Sequence, residues 1–163
     1  MTTIDPARFR QVLGHYPTGV VIVTAIDDGQ PVGATMGSFT SVSLDPPLVG
    51  FLPQQTSGTW QAIARAGRFC VNVLGAHQGD LCWRFARPSE EDRFADLVWT
   101  DSPAGSPIIE GVLAWIDCTI ASVTEAGDHL FVLGSVVDLA VGEHEDPSPL
   151  LFFKGKLGRF DLI

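Results

Sequence analysis

Cysteine is scarce: Cys70, Cys82 and Cys118 stand far apart and form no CxxC pair. The odd count and wide spacing fit reduced, buried thiols in a cytoplasmic protein. Positive charge is also short, with 10 Lys and Arg against 19 Asp and Glu for a net charge of −9. Nucleic acid is excluded as a partner, because phosphate binding needs a basic face. The same charge opposes anionic nucleotides at long range, so any nucleotide site has to be local and well shaped. No apolar run approaches the length of a membrane span, and no basic-plus-apolar leader opens the chain. The expectation is a cytoplasmic protein with no membrane partner.

Several catalytic signatures are missing as well. His15, His77, His129 and His144 are scattered, with no HExxH or paired spacing, so no metal site is expected. GxSxG is absent, and Ser38 lies in Gly-Ser-Phe rather than on a strand-to-helix elbow. Paired carboxylates occur only as runs at residues 90–92 and 143–146, which read as solvated faces. No Gly-rich strand-to-helix fingerprint marks a Rossmann fold, so a nicotinamide cofactor would have to bind elsewhere.

What is present is a domain-sized chain of 163 residues, 45% hydrophobic and only 18% charged, without internal repeats. It reads as one domain, residues 1–163. The low charged fraction predicts spare apolar surface, which a homodimer interface would cover. Asp5-Pro6 predicts a helix start, with Phe9, Val12 and Leu13 on one face and Gly14 as the stop. The run TGVVIVTAI from residue 18 predicts a buried strand, and Asp27-Asp28-Gly29-Gln30 a tight turn into a hairpin partner. Trp60, Ile63 and Ala64 share a helical face, and residues 68–74 form another strand. Helices are expected over residues 77–87, with Leu81 and Phe85 inward, and over 89–97, with Ser89 as cap. Residues 102–107 read as a loop. A long strand over 112–123 should turn Ala114, Ile116, Cys118 and Ile120 inward and return over 130–140. Residues 150–154 read as the last strand and 156–163 as a tail. Seven or so strands and about three helices predict a mainly β, antiparallel barrel.

The central stretch, residues 33–51, reads GATMGSFTSVSLDPPLVGF. Thr35, Ser38, Thr40, Ser41 and Ser43 crowd hydroxyls into one strand-like run, with Phe39, Val42 and Leu44 between them. Buried hydroxyls need partners, and a flat polar heterocycle supplies them, with Met36 and Phe39 for apolar contact. On composition alone, a two-faced surface strand is the simpler account. Thr56, Ser57 and Thr59 sit at or just before a helix start, where free N–H groups and the helix dipole suit a phosphate. A plain Ser or Thr N-cap explains one of the three hydroxyls equally well.

The segment ATMGSFTSVSLDPPLV resembles the signature of the flavin reductase-like family. TGVVIVT at 18–24, RFCVNVL at 68–74 and AGDHLFVLGSV at 126–136, with its Gly-Asp-His motif, follow in the family's order. The resemblance runs from Phe9 to Phe160 and implies an antiparallel FMN-binding split β-barrel. It implies an NAD(P)H-dependent reductase that passes hydride from NADH or NADPH to FMN or FAD and supplies a flavin-dependent monooxygenase. The implied flavin contacts are Thr35, Met36, Gly37, Ser38, Phe39, Thr40 and Ser41, with Thr56, Ser57 and Thr59 at the phosphate. Gly37 departs from relatives that carry a larger polar residue there, which removes a side-chain contact and opens close backbone approach. His129 is implied to position the nicotinamide and not to act as a base. Asp128 either orients it or closes the turn, the more natural role for Asp beside Gly. A hydrogen-bonded His129 without a ligand, in a flavin-binding storage protein, is the alternative.

Overall fold

The computed structural model describes residues 3–87, 92–145 and 147–163. Three helices flank antiparallel sheets: α1 (Pro6–Leu13), α2 (Gly58–Ala66) and α3 (Gly79–Ala86). The strands are β1 (Thr18–Gly19), β2 (Val21–Asp27), β3 (Gln30–Met36), β4 (Thr40–Ser43), β5 (Leu48–Phe51) and β6 (Arg68–Val73). They continue with β7 (Trp99–Asp101), β8 (Pro107–Ile109), β9 (Ala114–Ala126), β10 (His129–Val141), β11 (Leu150–Phe153) and β12 (Lys156–Arg159). The main sheet has seven strands in the order β3-β2-β6-β9-β10-β5-β4; β1-β11-β12 form a second sheet and β7-β8 a ribbon.

Local chemistry accounts for the hairpins. Asp28 and Gly29, at φ 48° and 75°, join β2 to β3, and Lys154 and Gly155, at 50° and 76°, join β11 to β12. Two consecutive positive φ values match the twist of the flanking strands. Residues 156–163 are therefore not simply a tail, because Lys156–Arg159 pairs back onto β11.

The main sheet curls. β2 and β5 are separated by three strands, yet Val21, Val23 and Ala25 share one core with Val49 and Phe51. Phe51 stands edge-on to Phe69 at 5.1 Å and to Trp60 of α2 at 6.1 Å, so α2 seals the curl. As the alternation predicts, Ile116, Cys118 and Ile120 of β9 join this core. Ala62, not Ala64, is the small buried residue of α2 beside Trp60 and Ile63.

A second core, with Ile22, Leu74, Phe85, Ile109 and Leu150, lies on the other face of β2. Residues 21–25 are thus buried on both faces, which explains a continuous apolar run instead of an alternating one. Thr24 and Asn72, both fully buried, close the polar account. Thr24 Oγ1 donates to Pro107 O at 2.6 Å, and Asn72 Oδ1 accepts from Ile109 N at 2.8 Å, which pins β8 to β2 and β6.

Two further expectations need correction. The helix expected over 89–97 starts outside the described residues, and residues 93–96 form a turn. Phe94, buried against Phe85 and Trp99, takes its place in the core from that turn. α1 forms on its Asp5 cap as expected, but Phe9, Val12 and Leu13 stay exposed and the helix buries no residue. Among the described residues no helix is long and apolar enough to cross a membrane.

Candidate functional site

A cleft of about 580 Å³ opens where β3, the start of α2, the end of α3 and the start of β10 converge. Thr35 and Met36 form one wall, Thr56, Ser57 and Thr59 another, and Arg93 and His129 supply its ionisable groups. Among the described residues no acidic side chain lines it, although the chain carries 19. In a protein of net charge −9, that makes the cleft a local site fit for an anion.

Each wall is held by identifiable bonds. Thr35 Oγ1 donates to Cys82 O at 2.7 Å, fastening β3 to α3. Gly33 lets Phe85 approach, since a Cβ there would stand 3.0 Å from the Phe85 ring. Ser57 caps α2 by accepting from Trp60 N at 3.2 Å. One of the three hydroxyls therefore serves as the cap, and Thr56 and Thr59 still line the cleft. The segment after β5 is stitched to the β9–β10 turn: Gln55 N donates to Asp128 O at 3.1 Å, and Gln55 Nε2 to Gly127 O at 3.0 Å. Leu130 N donates to Pro53 O at 2.9 Å. These bonds set His129 opposite the start of α2.

Gly127, at φ 69°, makes the turn that Gly-Asp-His requires. Asp128 does more than close it. Its carboxylate lies 2.7 Å from His129 Nδ1, fixing that nitrogen and leaving Nε2 for a ligand. Asp128 itself is 93% exposed and outside the cleft lining, so it acts through His129. The hydrogen bond and charge of His129 hold the Asp128 carboxyl below the usual carboxylate range.

The rest of the hydroxyl run is not brought into the lining. Ser38 Oγ accepts from Leu52 N at 2.9 Å, Thr40 Oγ1 donates to Ser41 O at 3.0 Å, and Ser41 pairs with Val49. Phe39 packs on the main core, and Gly37 lies against Thr18. Ser38 and Thr40 thus bond to backbone, with Ser38 latching the strand to the cleft residue Leu52.

Arg93 escaped the sequence reading. Its guanidinium donates to Gly33 O at 2.8 Å, Arg87 O at 2.8 Å and Thr59 Oγ1 at 3.4 Å. No local pattern signals an Arg whose partners lie 34 and 60 positions away. The cysteines are free and buried; burial pushes the Cys118 thiol up to about 12 and raises Cys70 further. Among the described residues no group of three or more His, Cys, Asp or Glu is placed to hold a metal ion.

The profile of the flavin reductase like domain matches residues 13–161. The chain belongs to the flavin reductase-like family. It is 58% identical to a flavin reductase of Pseudomonas putida over 99% of this chain and 94% of the relative. It is 52% identical to HsaB, the reductase subunit of a flavin-dependent monooxygenase of Rhodococcus jostii, over 94% of this chain and 77% of that one. Among solved structures, a homologue of nitrilotriacetate monooxygenase component B from Mycobacterium thermoresistibile superposes with a TM-score of 0.92 at 45% identity, covering 95% and 86% of the two chains. The curled antiparallel sheet is accordingly the split barrel of this family.

Proposed function

We propose that this protein is an NAD(P)H:flavin oxidoreductase that reduces FMN or FAD and supplies a flavin-dependent monooxygenase. The observation that carries the reading is the cleft that sets Arg93 and the α2 start beside the tethered His129, in a chain whose relatives are reductases. The flavin, when bound, supplies the hydride acceptor. Everything asked of the protein is then positioning. Thr56, Ser57 and Thr59 hold the flavin phosphate beside Arg93, which adds a charge-assisted donor. Met36 and the backbone of residues 37–41 flank the ring, with Thr35 in the cleft wall. His129 presents Nε2 to the nicotinamide nucleotide, and Asp128 fixes its ring. No side chain serves as a base. The donor set fits such a ligand, because it joins cationic and hydroxyl groups to an apolar wall of Met36, Leu52 and Phe85.

Residues 1–163 are read as one domain, supported by two cores that share β2 and its neighbours. A cytoplasmic location is supported by three unpaired, buried thiols. A homodimer is supported by Val42 of β4 and Val137, Leu139 and Val141 of β10, all exposed on neighbouring parts of the sheet. Sedimentation at micromolar concentration should show two copies; a single copy overturns that part.

The deciding experiment mixes purified protein with NADH and free FMN and follows the nicotinamide absorbance. Oxidation of NADH that needs both protein and FMN is expected. Flavin binding without NADH oxidation would make this a storage protein instead.

A further inference from the structure

The tip of the β9–β10 hairpin overhangs the sheet. Pairing of β10 with β5 ends at Val132 and Phe51, so residues 127–131 extend past the last rung of that ladder. A two-stranded tip of this kind twists readily, because no third strand holds it. His129 sits on the tip, as the first residue of β10. Its bond to Asp128 does not fix its place, since Asp128 belongs to the same turn and moves with it.

The segment 53–55 takes the place of the missing strand. Leu130 N donates to Pro53 O at 2.9 Å, and Gln54 forms an antiparallel bridge with His129. Gln55 then engages the carbonyls of Gly127, Asp128 and His129 in succession. Its backbone N donates to Asp128 O at 3.1 Å, and its side-chain Nε2 donates to Gly127 O at 3.0 Å and to His129 O at 3.4 Å. Both hydrogens of the amide are thereby used, one on each side of Asp128. Gln55 is half-buried and does not line the cleft, although its neighbours Gln54 and Thr56 do. Its side chain serves the turn.

We propose that Gln55 is the positioning residue that sets His129 for the nicotinamide nucleotide, an inference that rests on the reductase reading above. The reason lies in the amide. With two donors on one nitrogen it serves both flanking carbonyls at once. A carboxylate of the same shape offers acceptors alone and meets both oxygens with repulsion. Gln55 also directly precedes Thr56 and Ser57, so it fixes the turn against the same wall that begins α2.

The test uses the full chain with Gln55→Met, which keeps the shape and loses both donors, and Gln55→Glu, which sets acceptors against acceptors. NADH oxidation is followed with FMN as acceptor, and FMN affinity is measured by calorimetry without NADH. The ring nitrogens of His129 are observed by NMR. Gln55→Met should raise the KM for NADH about five-fold, with kcat and FMN affinity within about two-fold of wild type. Gln55→Glu should raise it further. In a His129→Ala background neither change should move that KM, because Gln55 acts through His129. The His129 ring signals should shift in Gln55→Met while those of His15 stay in place. An unchanged KM with a lower melting temperature makes Gln55 a structural residue and overturns the proposal. So does a KM effect that persists without His129, a matching loss of FMN affinity, or an unmoved His129 ring. A wild type that binds FMN but never oxidises NADH overturns the reductase reading instead, and the ring signals then decide on Gln55 alone.

Discussion

The barrel body and the lobe built from the two chain ends are held by different physics. The body has two buried cores, with Phe51 and Phe69 fully enclosed and a satisfied Thr24–Asn72 network between strands. The lobe buries little. α1 has no buried residue and meets the hairpin through Lys154 N donating to Gly14 O at 2.9 Å and His15 standing edge-on to Phe153 at 6.3 Å. The body is strongly acidic and the lobe is basic. Apolar area removed from water stabilises the body. The lobe keeps Phe9, Tyr16, Phe152 and Phe160 exposed, which is the composition of a surface that meets something else. The chain ends thus carry exposed apolar surface on segments that bury little.

The largest expected effect tests that contrast directly. Phe69→Ala in the body should cost about 3–5 kcal/mol, whereas Phe9→Ala on α1 should stay within about 0.5 kcal/mol, both read from denaturant midpoints. A costly Phe9→Ala would mean that α1 is covered in solution. Next in size, Ser57→Ala/Thr59→Ala should weaken FMN far more than riboflavin, since each hydrogen bond lost to a charged group is worth about 1.5–3 kcal/mol. Equal weakening of both ligands removes the phosphate from the α2 start. His129→Ala should raise the KM for NADH about ten-fold, with flavin affinity and melting temperature nearly unchanged. A lower melting temperature with an unchanged KM would make His129 a structural residue of the body.

The smallest effect concerns Asp128. Its carboxyl is held below the usual range by His129, so the pair contributes stability above the ordinary carboxylate pKa. That contribution fades as pH falls through the lowered value. Melting temperatures of the wild type and Asp128→Asn should therefore converge in strong acid. A constant gap down to the lowest pH would show that the pair does not set it.

Much of this was legible in the residues. Asp5 before Pro6, Asp28-Gly29 and Gly127-Asp128 act within one turn, so their steric and capping rules need no distant partner. The Ser57 cap was legible for the same reason, and the Gly-Asp-His motif pointed to His129. The site was less complete. The hydroxyls of Ser38 and Thr40 read as ligand groups, and in the fold they bond to the backbone of Leu52 and Ser41. Gln55, which ties the cleft to the β9–β10 turn across 72 positions, carried no local signal.

The sequence by itself determined most strands of the main sheet, its β2–β3 and β9–β10 hairpins, two of the helix caps and the family, because periodicity, turn sterics and motif order act over short spans. Tertiary structure alone decided three things. Curling of the sheet brings β5 onto β2, since only packing around Phe51, Phe69 and Trp60 favours that closure. Arg93 reaches Gly33 and Thr59 from a turn that helical periodicity had misread, because a buried Phe94 outweighs local propensity. And the two chain ends meet in one basic lobe, which no linear window contains, because β1 pairs with β11 across the whole length of the chain.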